Sequence, residues 1–140
     1  MSNALAECAN CLCLASRRAA RTITRAFDRK LRPFGIRATQ FSALVMLELR
    51  GPLAIGELAN SLGVERTTLT RNLALIEDKG WIRVREGEDA RSRLASLTPK
   101  GRAALTAAVS AWREAQSSAL AAIGPSGASA IRSLARTNLT

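Results

Sequence analysis

The chain has 140 residues, a formal net charge of +10 and a pI near 11.3, which is the length of one domain and too short for two independent globular bodies. All but Lys30, Lys79 and Lys100 of its 21 basic residues are arginine, whose planar guanidinium suits phosphate and base edges, so nucleic acid is the leading partner. There are no histidines and no tyrosines, and no Gly-rich phosphate loop, Ser-His-Asp set or zinc-protease spacing occurs; an enzyme is not expected.

No apolar run approaches the ~20 residues that span a bilayer, so no membrane association is expected. The N-terminal charges follow the apolar stretch, the reverse of a signal peptide, and the expected location is the cytoplasm. Cys8, Cys11 and Cys13 are an odd number of thiols crowded into one short stretch, which argues against a disulfide-stapled secreted scaffold.

From Cys8 to Phe34, apolar residues recur at helical spacing through Leu12, Ala15, Ala19, Ile23, Ala26 and Phe27. At ~100° per residue, Arg18, Arg21, Arg25, Arg29 and Arg32 gather on the opposite side. The pattern predicts one long amphipathic helix ending near Pro33-Phe34-Gly35, its arginine stripe either a solvated face or a track for a phosphate backbone. A second helix is expected from about Ala38 to Leu49, with Phe41, Leu44, Val45, Leu47 and Leu49 on its apolar side, stopped by Arg50-Gly51-Pro52.

Next comes a short helix, Ile55 to Leu62, closed by Gly63 and followed directly by another from about Glu65 to Lys79. Two helices joined by a tight Gly turn are a helix-turn-helix. In the second of them Leu69, Leu73 and Ile76 face inward. Glu65, Arg66, Thr67, Thr68, Thr70 and Arg71 are left near the exposed N-terminal half, where small hydroxyls allow close approach to bases and arginine reaches guanine.

Lys79-Gly80-Trp81 ends that helix. The alternating stretch 81–85 and the later 93–97 read as two short strands joined by a polar loop, a hairpin or wing carrying Arg85, Asp89, Arg91 and Arg93. Arg91 at its tip is expected to enter the minor groove, with Asp89 bracing it. Thr98 is a good N-cap and Pro99 a good first helical residue. They open an alanine-rich helix with Leu105, Val109, Trp112, Ala119 and Ile123 at helical spacing, stopped at Gly124-Pro125, and a last short helix runs from about Ser126 to Leu139.

Over nearly its whole length the chain resembles the MarR family of winged-helix regulators. The features that carry the resemblance are Gly35 and Gln40 around the second helix, the stretch Ile55–Ile82, and above all Asp89-Ala90-Arg91 followed by Leu97-Thr98-Pro99-Lys100-Gly101. The resemblance implies a mainly α fold with a small β-hairpin wing: a winged helix-turn-helix lobe over 37–98 and long N- and C-terminal dimerisation helices over 1–36 and 99–140, as a single domain. It implies a homodimer that binds double-stranded DNA at a pseudo-palindromic operator, usually as a repressor, and releases it on a redox signal or a small aromatic or phenolic effector. Arg37, Ala54 and Glu65 depart from the family pattern, standing where Thr, Ser or Asn often cap the helices. The alternative function is an architectural DNA-binding protein without an effector.

Cys13 lies at what resembles the position of the reactive thiol in the hydroperoxide-sensing branch of the family, and the helix N-terminus and Arg17 set positive potential beside it. That branch also uses tyrosines, which are lacking. No cofactor is certain, and three readings stay open for Cys8, Cys11 and Cys13: thiol oxidation, soft-metal binding, or small hydrophobes at a dimer interface. On one unbroken helix Cys8 and Cys11 would lie about 60° apart and Cys13 roughly 160° from Cys11, so one ion could not reach all three. For an effector, the candidate walls are Phe27, Phe41 and Trp112, with Arg17 or Arg21 for a carboxylate.

Overall fold

The computed structural model describes residues 2–88, 92–137 and 139. In chain order it forms α1 (Ser2–Cys8), α2 (Leu12–Leu31), a 3-10 turn (Arg32–Phe34), α3 (Ala38–Arg50), β1 (Leu53–Ala54), α4 (Ile55–Leu62), α5 (Arg66–Asp78), β2 (Ile82–Glu86), β3 (Arg93–Leu97) and α6 (Pro99–Ala135). These elements fall into two compact units, Leu31–Ser110 and a second made of residues 1–30 and 111–140.

The unit 31–110 is built on aliphatic burial. Leu31, Leu44, Leu58, Leu69, Leu73 and Ile76 are completely enclosed, each contributing roughly 1.5–3 kcal/mol relative to an exposed side chain. The spacing of Leu69, Leu73 and Ile76 puts all three on one stripe of α5, as their periodicity predicts. Three antiparallel strands in the order β1-β3-β2 close the unit on one side, with Leu53 and Val84 both opposite the buried Ala95 of β3.

Helix starts in this unit use different devices. Arg37 makes no side-chain cap, but the amide oxygen of Gln40, only 3% exposed, accepts a hydrogen bond from the Arg37 backbone N–H at 3.0 Å. This is the returning half of a capping box and offsets the unfavourable cap residue. At α4, Ala54 provides no cap, and Glu57 in the first turn complements the helix dipole instead. At α6, Thr98 does what its sequence position predicts: its hydroxyl accepts from the Gly101 N–H at 3.0 Å and donates to the Gly80 carbonyl at 2.6 Å. Gly101 is required there, because a Cβ would collide with the Trp81 carbonyl oxygen.

In the other unit the buried side chains are small: Ala111, Ala115 and Ala128. Arg17, Arg18, Arg21, Arg25 and Arg29 are all exposed along α2, and Lys30 pairs with Glu114 at 3.4 Å. Leu5, Leu12, Leu14, Leu120, Ile131 and Leu134 are exposed as well, Leu12 to 85%. Helix α6 is interrupted at Gly124 (φ 80°, ψ 168°), followed by Pro125, where the Gly-Pro pair predicts a stop.

Four sequence expectations need correction. The helix expected over 8–34 is broken: α1 ends at Cys8, residues 9–11 form tight turns with Ala9, Asn10 and Cys11 N–H groups each bonded three residues back, and α2 starts afresh at Leu12. Asn10, whose side chain competes for backbone groups, disfavours helix there, and apolar periodicity does not register such a break. Leu49 is 76% exposed and not part of the apolar side of α3. The two-residue strand β1 was not foreseen, since so short a segment has no period to read. The last helical stretch ends at Ala135, short of Leu139. Among the described residues no helix is long and apolar enough to cross a membrane.

Candidate nucleic-acid interface

Helices α4 and α5 form the helix-turn-helix. Gly63 adopts φ 66°, ψ 35°, and the N–H groups of Gly63 and Val64 bond back to the Asn60 and Ala59 carbonyls at 3.2 and 3.1 Å. This closes α4 by the left-handed route that glycine takes without strain and aims the chain straight into α5. Burial of Leu69, Leu73 and Ile76 orients α5 about its axis. In consequence Arg66, Thr67, Thr68, Thr70 and Arg71 are all exposed on the N-terminal half, the predicted set. The Thr70 hydroxyl donates to the Arg66 carbonyl at 2.9 Å, which holds its oxygen in a defined place with lone pairs still available. Glu65 precedes the helix in an extended conformation and caps nothing.

The hairpin stands beside this helix by a direct tether: the Glu77 carboxylate on α5 accepts from the Val84 N–H on β2 at 2.8 Å. Trp81, buried at the base of β2, lies under the Lys79 ammonium at 4.5 Å, and Lys79 donates to the Gly35 carbonyl. On the strands Glu86 is registered against Arg93 and Arg85 against Leu94, and the Gly87 N–H bonds to the Ser92 carbonyl. Arg85 and Arg93 are exposed. Asp89 and Arg91 lie outside the described residues. The alternation that buries Ile82 also exposes Arg83 next to Arg85, a cation sequence reasoning passed over although strand periodicity predicts it.

A cleft of about 310 Å³ opens within the same unit between α3, the turn after α4, and α5. Its apolar walls are Leu62, Val64, Leu69 and Leu75, with the guanidinium-bearing Arg37 and Arg71. Thr39, Ser42, Thr68 and Asn72 complete the lining. Nothing in the linear pattern singled this cleft out, because its walls come from three separate segments.

The residues suggested as effector walls are distributed differently. Phe41 is buried in the core of the 31–110 unit, whereas Phe27 and Trp112 are half-buried and Arg17 and Arg21 exposed in the other. The three cysteines are free and exposed: Cys8 closes α1 with its thiol against the Ala4 carbonyl, Cys11 precedes α2 and Cys13 sits in its first turn. The helical angles expected for them therefore do not apply. Among the described residues no group of three His, Cys, Asp or Glu side chains is gathered to hold a metal ion, so the soft-metal reading of Cys8, Cys11 and Cys13 finds no preformed site.

Known proteins share this arrangement. The MarR family model matches residues 34–92. The transcriptional regulator MosR of M. tuberculosis, solved in complex with DNA, is 46% identical, with 90% of this chain and 94% of that one covered and a TM-score of 0.80. YwoH of Bacillus subtilis, an HTH-type transcriptional regulator, is 39% identical over 79 residues, 56% of this chain and 58% of YwoH, so the match spans little more than half of that relative. AbfR, solved on DNA in its reduced form, is 27% identical over 79% of this chain and 81% of its own, with a TM-score of 0.68. With the family model matched across its helix-turn-helix and hairpin, and close structural similarity to MosR over nearly the whole chain, the chain belongs to the MarR family of winged helix-turn-helix transcriptional regulators.

Proposed function

We propose that the protein is a cytoplasmic homodimer that binds a pseudo-palindromic operator in double-stranded DNA and represses transcription. One observation carries this reading: Arg66, Thr67, Thr68, Thr70 and Arg71 are exposed together on a helix whose opposite stripe anchors it in the core. Such a face fits the major groove, where arginine pairs with guanine O6 and N7 and threonine meets base edges and the thymine methyl. Arg85 and Arg93 flank it on the hairpin for phosphates, and the resemblance assigns Asp89 and Arg91, between the two strands in sequence, to the adjacent minor groove. The DNA complex of MosR supports DNA as the partner.

In this reading 37–98 is the DNA-binding lobe and 1–36 with 99–140 dimerise. The exposed leucines of the second unit support a second copy as their cover. Two-fold symmetry then sets two recognition helices in successive major grooves ~34 Å apart. The release signal is oxidation of the exposed thiols Cys8, Cys11 and Cys13, or a small aromatic acid. AbfR has been solved on DNA in a reduced and an overoxidised form, so a regulator of this fold undergoes oxidation, which favours the redox arm of this reading.

Selection of bound sites from random duplex DNA, run with reductant, with peroxide and with aromatic acids, tests the whole reading. The expected result is one short two-fold-symmetric site, weakened in at least one signal arm, with Arg71→Ala losing about 1–3 kcal/mol of affinity for it. Salt-sensitive binding that spreads along the duplex with no sequence preference overturns it in favour of an architectural coat.

A further inference from the structure

We infer that the arginine stripe of α2 is a second DNA-binding surface, one that holds the phosphate backbone of a duplex without regard to sequence. The observation that carries it is where the charge lies. The unit formed by residues 1–30 and 111–140 contains nine Lys or Arg against three acids, Glu7, Asp28 and Glu114, a surplus of six. The 31–110 unit, which carries the helix-turn-helix and the hairpin, holds the remaining twelve against eight acids, a surplus of four. The larger share of the +10 is thus on the unit without α5, and operator binding through α5 does not account for it.

This surplus is ordered. Arg18, Arg21, Arg25 and Arg29 follow one another at three- and four-residue steps, so at ~100° and ~1.5 Å per residue they fall within about 80° of one another and run about 16 Å along the helix. All four are exposed, and Arg17 is exposed beside them. Thr22 turns its hydroxyl to the Arg18 carbonyl at 2.9 Å and adds no charge. The one acid on α2 is Asp28, half-buried near the end of the helix. Each strand of a duplex bears a charge every ~3.4 Å, so the stripe matches about five consecutive phosphates of one strand. Guanidinium suits them, since it meets a phosphate through paired N–H donors.

Other polyanions fit less well. A second copy of this chain brings a positive surplus in both of its units and cannot neutralise the stripe. An anionic membrane needs the apolar side of the helix in its acyl boundary, and that side is turned inward here, with Ile23, Ala26 and Phe27 half-buried. A regular row of cations complements a regular row of phosphates better than the scattered acids of a protein surface. Held in this way, the chain stays on DNA while it slides between sites.

The test titrates full-length protein with a short dye-labelled duplex of arbitrary sequence at several salt concentrations, read by anisotropy. Two variants remove equal charge from the same unit: Arg21→Gln/Arg25→Gln/Arg29→Gln on the stripe, and Arg113→Gln/Arg132→Gln/Arg136→Gln at exposed positions elsewhere. For each chain engaged, the stripe variant should lose about 2.7 from the slope of log K against log salt, at ~0.9 per phosphate contact, and bind about a hundredfold more weakly near ~0.1 M salt. The second variant should stay near wild type. Arg21→Lys/Arg25→Lys/Arg29→Lys keeps the charge and should keep most of the slope, which separates loss of charge from loss of fold. Arg66→Ala/Arg71→Ala, on the α5 face, should leave the stripe-dependent component in place. Equal losses in the two Gln variants, a loss in the Lys variant as large as in the stripe Gln variant, or complete loss on substitution of Arg66 and Arg71 overturns the proposal. So does stripe-dependent binding to phosphatidylserine vesicles with DNA binding indifferent to the stripe. The operator reading stands or fails separately, on selection from random DNA, because this duplex contains no selected site.

Discussion

The two units of this chain solve the problem of burial in opposite ways. Residues 31–110 enclose Leu31, Leu44, Leu58, Leu69, Leu73 and Ile76 completely, whereas residues 1–30 with 111–140 bury alanines and leave Leu5, Leu12, Leu120, Ile131 and Leu134 exposed. Large side chains enclosed by their own chain make a hydrophobic core within one unit. Large side chains facing outward beside small buried ones make a surface that is completed by another molecule. The first unit thus holds α5 and the hairpin on a core of its own, and the second is the one proposed above to meet a second copy.

Substitutions at matched apolar positions sharpen this contrast. Leu73→Ala, in the enclosed core, should cost about 2–5 kcal/mol of unfolding free energy, read as a lowered midpoint in chemical denaturation at any protein concentration. Leu134→Asp, on the exposed face, should instead weaken self-association by about 1.5–3 kcal/mol per lost leucine contact, read by sedimentation, with the melting of the 31–110 unit little changed. If Leu134→Asp unfolded the protein and left association intact, the contrast between the units would be wrong.

Smaller effects probe how the 31–110 unit is joined. Gly101→Ala should lose about 1–3 kcal/mol from the clash with the Trp81 carbonyl, seen as a lower melting temperature. Thr98→Ala should lose about 1 kcal/mol by removing the cap on α6 and the bond to Gly80, with Thr98→Ser recovering most of it. Arg102→Ala, which breaks a solvent-exposed pair with Glu48 at 2.8 Å, should change stability by less than about 1 kcal/mol, and a larger loss would mean that this pair organises the start of α6.

Much of the candidate site was legible before the fold. Helical period placed Leu69, Leu73 and Ile76 inward and so exposed Arg66, Thr67, Thr68, Thr70 and Arg71, and Gly63 marked the turn. Both signals are local: a stripe of 3.6-residue period and a single residue that favours the left-handed backbone. Arg83 was legible too, by strand alternation, and was overlooked. The break at residues 9–11 was not visible, because a one-turn interruption shifts the apolar stripe too little to disturb its period.

By itself the sequence determined the order of α3, α4, α5, β2, β3 and α6, the stripe that α5 turns inward, and the caps at Thr98 and Gly63, because these depend on neighbours within a turn or two. Tertiary structure alone decided that Leu53 and Val84 meet Ala95 in a three-stranded sheet, that Gly101 must lie against Trp81, and that Arg37, Leu62 and Arg71 surround one cleft. Those groups are far apart along the chain, and only packing of the intervening hydrophobic stripes brings them within reach.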